Sequence, residues 1–133
     1  MMTRELFWLT LTVILTGVLW IPYVVNRTLV RGLSGAMANP SRNDKPMAPW
    51  ATRLMFAHDN AVENLVIFAA LVLILNAADY STKWTVLACV VYFWARVAHI
   101  IVYTLGLPVV RTLTFTVGFL AQAVLAIAIF GWL

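Results

Sequence analysis

Apolar residues fill four long stretches of the chain, and polar residues gather in the gaps between them. The stretches run from about Leu6 to Leu29, Trp50 to Ala78, Thr82 to Leu105 and Pro108 to Leu133. Each is long enough to cross a bilayer core, which takes about 20 residues of helix. None alternates with the two-residue period of a strand. In lipid every backbone N–H and C=O must be satisfied within the segment, so the pattern predicts four membrane-spanning helices.

The gaps carry recognisable chain breakers. "GLSGAMANPSRNDKPMAP" is dense in Gly, Pro, Asn and Ser and forms the one substantial loop. "NAADYSTK" is a short turn in which Ser81 or Thr82 suits a helix N-cap. "GLP" breaks the chain again, and Pro108 fits the first turn of the last helix. Short second and third connections make their helices antiparallel neighbours. The expectation is an all-α integral membrane protein, a four-transmembrane-helix up-down bundle, with residues 1–133 as one membrane domain. The N-terminal "MMTRELFWLTLTVILTGVLW" has no small-x-small cleavage site after its apolar run and is expected to be a retained helix.

Composition agrees. The chain is 63% hydrophobic and 11% charged, against about half and about a quarter in soluble domains. The formal charge is +4. The cations do not form a nucleic-acid module. Arg27, Arg31, Arg42, Lys45 and Arg53 flank or occupy the first loop, and Arg111 follows the third connection. Arg4 and Lys83 lie on the other side. The positive-inside rule therefore puts the first and third connections in the cytoplasm and both termini on the opposite face. The compact length suits a bacterial inner membrane rather than the endoplasmic reticulum. Cys89 is the sole cysteine, so no internal disulfide forms, and it fits a small buried hydrophobe. No cluster has metal-ligand spacing, so no metal is expected.

The polar residues inside the spans carry the chemistry. Arg53, Asn60 and Glu63 fall on one stripe of the second span, and Arg96, His99 and Tyr103 repeat the arrangement on the third. Arg111 opens the fourth helix at the same depth. Ionisable groups in a membrane helix face the bundle interior and pair, which makes Glu63 and Arg96 the natural couple. Taken singly, each residue also has a plain structural role. A Glu–Arg pair fixes helix register, His99 bonds between helices, Tyr103 anchors at the interface and Arg111 signals topology. Together they predict a cation-rich pocket open to the cytoplasm, suited to a water-soluble anionic ligand that meets a lipophilic partner from the bilayer. No comparable set is expected in the outer half. Arg111, added to the positive end of its helix, would stabilise a thiolate or carboxylate.

"HDNAVENLVIF" and "RVAHIIVYTLGLPVVRTLTF" resemble the MAPEG family, the membrane-associated proteins of eicosanoid and glutathione metabolism, in a bacterial-type form. The motifs are N-x-x-E-N on the second helix and R-x-x-H-x-x-x-Y-x7-R after it, with "ANP" in the first loop. The resemblance implies a homotrimer that takes glutathione as co-substrate between subunits near the cytoplasmic face. It assigns glutathione binding to Asn60, Glu63, Arg96, His99, Tyr103 and a first-helix arginine, Arg31 ahead of Arg27. It assigns thiolate activation to Arg111; Thr112, the nearest hydroxyl in the sequence, is a candidate donor to the same sulfur. A free thiol has a pKa of about 8.5, which a neighbouring cation lowers. The implied activity is a glutathione-dependent transferase or peroxidase acting on lipophilic electrophiles. Two positions depart from the family pattern. Asp59 stands where an arginine is common, and Phe115 where some members carry an aromatic hydroxyl. They motivate the alternative of a non-catalytic member that binds a lipid or an anionic metabolite. A proton-coupled carrier using Glu63, Arg96 and His99 would need polar groups across the outer half as well.

Overall fold

A computed structural model describes all of residues 1–133. It is all-helical: α1 (Arg4–Val18), α2 (Trp20–Met37), α3 (Pro49–Ala77), α4 (Lys83–Leu105) and α5 (Pro108–Ile129). The chain has four helices long and apolar enough to cross a membrane, because α1 and α2 together make one such segment, Arg4–Met37. The break between them has a local cause. Pro22 has no N–H to offer the carbonyl of Val18, four residues earlier, so the regular ladder stops at Leu19. The first helical stretch also continues past Leu29, bending at Gly32, whose φ of 73° only glycine adopts readily.

The other boundaries follow from their caps. Pro49 and Pro108 occupy the first turns of α3 and α5, where a missing N–H costs nothing. Thr82 caps α4 in a reciprocal box with Thr85. Gly106 ends α4 in the left-handed conformation, with the Arg53 side chain packed against the space where a Cβ would stand.

Packing brings α4 against α5, α3 and α1, while α2 leans on α3. The main core joins Leu9, Phe68, Val72, Leu75, Cys89, Tyr92 and Leu125 with small residues such as Ala88, Ala121 and Ala128. Phe68 and Tyr92 stack with ring centroids 3.8 Å apart. Buried alanines recur on α3 as well, at Ala51, Ala57 and Ala61. Small side chains matter here because helices in lipid associate by close packing rather than by expulsion of water. Large apolar side chains such as Leu29, Val66 and Phe119 cover the outside.

Two ends of the bundle are thereby defined. At the basic end, Asn26 Oδ1 accepts the Ala48 N–H and Arg53 Nε donates to the Thr104 carbonyl, both within hydrogen-bond distance. These bonds tie the first loop and the α4–α5 connection to the α2–α3 corner. At the far end, Ser81 and Thr85 donate to Glu5, and the Tyr80 hydroxyl donates to the Leu133 carbonyl.

Candidate functional site

Three helices contribute side chains to one cavity at the basic end. Asn60 comes from α3, His99 and Tyr103 from α4, and Arg111, Thr112 and Phe115 from α5. The cavity holds about 270 Å³. His99 and Tyr103 are four residues apart and therefore neighbours on one helix face. Their rings meet edge to face at 5.6 Å. The Arg111 guanidinium lies over the Tyr103 ring, 4.5 Å from its centroid, within cation–π range. Phe115 closes the other side, 6.2 Å from the His99 ring.

Behind this lining stands Arg96, only 3% exposed. Its Nη2 donates to Asn60 Oδ1 at 2.7 Å, and its Nε has no partner. Asn64 Nδ2 donates to the Asn60 carbonyl at 2.9 Å, and Gln122 Nε2 donates to the Asn64 carbonyl at 3.1 Å. The amides thus link α4, α3 and α5 in one polar chain that fixes Asn60. His99 Nδ1 is also buried without a partner. No carboxylate lines the cavity, and the sole ion pair in the molecule is Arg31–Asp44, elsewhere. A buried guanidinium bonded only to a neutral amide leaves its charge uncompensated, and the cavity beside it is where an anion would be stabilised.

The expected Glu63–Arg96 couple does not form. Glu63 is exposed and Arg96 bonds Asn60 instead. The inward face of α3 is set by Ala57, Ala61, Phe68, Val72 and Leu75. Glu63 lies two residues beyond Ala61, about 200° around a helix that turns 100° per residue, so it points outward. The same geometry, two residues before Ala61, leaves Asp59 exposed. Arg31 also lies outside the cavity. Its Nε donates to the Lys45 carbonyl at 2.6 Å, and it pairs with Asp44 at 3.6 Å, which pins the first loop. The structure therefore brings Asn60, Arg96, His99, Tyr103 and Arg111 together and leaves Glu63 and Arg31 outside within one chain.

Several buried or partly buried polar groups had no motif to mark them. Gln122 supports the amide chain, and its signal was its isolation in the apolar run "FLAQAVLAIAIF". Tyr92 is buried with its hydroxyl unpartnered, and its aromatic character disguised it as core. Tyr23 and His58 share a 2.8 Å hydrogen bond between α2 and α3. Glu5 is the largest surprise, because the far end was expected to hold no polar set and instead buries a carboxylate.

A family model described as the MAPEG family matches residues 6–131. The chain belongs to the MAPEG family. No curated protein and no solved structure matches it. As a MAPEG protein it is a membrane protein of that family, and its four spans and the polar cavity at their basic end are its own features.

Proposed function

We propose that this MAPEG protein is a glutathione-dependent transferase or peroxidase that acts on lipophilic electrophiles. One observation carries the proposal: two arginines, an amide, an imidazole and a phenol surround or back a cavity without any carboxylate. That electrostatic balance suits a tripeptide with two carboxylates and an ionisable thiol.

In this account Asn60, Arg96, His99 and Tyr103 hold the peptide. Arg111 faces the sulfur and stabilises it as thiolate, which removes the need for a general base. Thr112 lines the same cavity; its hydroxyl, which donates to the Pro108 carbonyl at 3.1 Å, would have to rotate to reach the sulfur. The thiolate then attacks an electrophilic carbon arriving from lipid. A C–S bond forms, and the leaving group departs with its electron pair. With a hydroperoxide, the sulfur attacks the outer oxygen and the O–O bond breaks to give an alcohol. A second glutathione completes the disulfide and releases water.

Glu63 and Arg31 enter this scheme through assembly. A carboxylate left on the lipid-facing side of a membrane helix costs a few kcal/mol or more, so Glu63 favours burial against another copy. In a homotrimer it would meet the ammonium of a glutathione bound between neighbours, and Arg31 would reach the same ligand across the interface. The basic end is assigned to the cytoplasm, and a bacterial inner membrane is the proposed location.

The test is calorimetry of the detergent-solubilised protein against glutathione, paired with turnover of a model electrophile. Saturable binding that weakens in Glu63→Ala, together with conjugation, is expected. Absence of binding would overturn the proposal. Phe115 favours a second reading, because an aromatic ring without a hydroxyl lines the cavity. A non-catalytic protein that binds a lipid or an anionic metabolite would show ligand-induced stabilisation with no conjugation.

A further inference from the structure

The far end of the bundle holds a polar cluster that the proposed glutathione site does not use. Glu5, in the first turn of α1, is 3% exposed. Its Oε1 accepts from Ser81 Oγ and Thr85 Oγ1, each at 2.6 Å. Its Oε2 is buried and has no partner. No cation lies within ion-pair distance of it, since Arg31–Asp44 is the only ion pair. A buried carboxylate oxygen without hydrogen bond or counter-charge is costly unless something completes it.

Beside Glu5 is a cavity of about 30 Å³, room for a single water-sized body. Thr3, Glu5, Asn76, Asp79, Tyr80 and Ser81 line it, and each carries a side-chain oxygen. The C-terminal end of α3 falls at the same place, with Asn76 in its last turn. A helix C-terminus carries partial negative charge and favours a cation. Residues bearing two carboxylates and several neutral oxygens thus border one small space at a negative helix end.

We infer that this end of the bundle binds a calcium-like divalent cation between Glu5 and Asp79. The ligand set is all oxygen, as hard cations prefer, and two carboxylates balance two positive charges. Calcium accepts six to eight oxygens in irregular geometry, whereas magnesium demands a tight octahedron. The bound ion would clamp α1 to the α3–α4 turn. Arg4 and Lys83 lie at this end but are exposed, and the Lys83 ammonium sits 5.2 Å from the Trp84 ring centroid. No group of three or more His, Cys, Asp or Glu side chains is available. Affinity therefore belongs to the weak class, with a dissociation constant of about 10⁻⁴–10⁻³ M. This space shares no lining residue with the cavity at the basic end.

The experiment is thermal unfolding of the chelator-stripped, detergent-solubilised protein, followed by tryptophan fluorescence across a calcium chloride titration at constant ionic strength. A saturable rise in Tm of about 3 °C or more is expected at calcium well above the dissociation constant. Asp79→Asn is the main variant, because Asp79 is exposed and at φ 51°, a conformation Asn also tolerates. It should fold normally and move the midpoint to roughly ten-fold higher calcium or beyond. Glu5→Gln, which keeps an oxygen for Ser81 and Thr85, should abolish the response. A wild-type protein with no calcium response overturns the inference. So does an equal response to magnesium or sodium, or a midpoint that Asp79→Asn leaves in place.

Discussion

At the far end, Glu5 is shut in by two hydroxyls beside a cavity of about 30 Å³, whereas at the basic end Asn60, His99, Tyr103 and Arg111 open onto about 270 Å³. The signs differ as well as the sizes. The small cavity is bordered by carboxylates and the large one by arginine. Both ends leave buried polar atoms without partners, Glu5 Oε2 at one and Arg96 Nε and His99 Nδ1 at the other. The contrast shows how a small membrane bundle places charge. A closed cluster between α1 and the α3–α4 turn joins helices around one water-sized space. An open cluster between three helices trades internal pairing for room to admit a ligand.

Arg111 is where the open end is most vulnerable. Arg111→Ala should lower kcat/KM for glutathione conjugation by roughly 10²-fold or more, a loss typical of removing a group that stabilises developing or resident charge. Thermal stability should stay close to wild type, since this half-buried side chain makes no hydrogen bond within the chain. Normal turnover in that variant would show that the open end is not built around a thiolate.

Arg96→Met tests the polar chain behind the cavity. It removes the charge and leaves Asn60 Oδ1 with only its 3.4 Å approach from Asn64. The lost charge-assisted bond is offset by relief of an uncompensated buried charge, so denaturant unfolding should change by no more than about 1 kcal/mol while glutathione binding weakens in calorimetry. Unchanged affinity would mean that Arg96 serves packing alone.

Glu5→Ala is the counterpart at the closed end. Ser81 and Thr85 lose their acceptor, and stability should fall by about 1–2 kcal/mol. Conjugation at the opposite end should be unaltered at temperatures well below unfolding. Loss of activity without loss of stability would couple the two ends and defeat their description as separate.

Phe115→Tyr has the smallest expected effect. It places a hydroxyl at the cavity wall without adding bulk elsewhere and should change conjugation by no more than about ten-fold, in the direction of gain. Conjugation by this variant alongside an inert wild type would instead support the non-catalytic reading and identify the missing donor.

Much of the fold was legible in the chain. Four apolar runs and Pro108 as first-turn proline correspond to observed helices and caps, and of the two N-cap candidates Ser81 and Thr82 the structure selects Thr82. They are legible because span length, caps and breakers are local, and lipid admits only helices or closed barrels, of which the lack of strand alternation leaves the helix. The interrupted first span was less so. Pro22 and Gly32 were visible as residues, but whether a proline kinks, breaks or merely starts a turn depends on what packs around it.

The site divides the same way. Spacing grouped Asn60 with Glu63, yet three residues on a helix are separated by 300°, or 60° the other way. That is enough to turn one inward and the other toward lipid when Ala61 sets the buried face. The partner of Arg96 therefore had to be seen. So did Gln122, which meets Asn64 across 58 positions of sequence.

The residues alone were enough to specify a helical membrane protein of four spans with most of its cations at one end, because hydrophobic length and charge act residue by residue. The tertiary structure alone decided that Arg96 bonds an amide rather than a carboxylate, that Glu63 faces out, and that Glu5 is buried. Those outcomes depend on how each helix is rotated about its own axis, and that rotation is fixed by which small and large side chains of other helices it packs against.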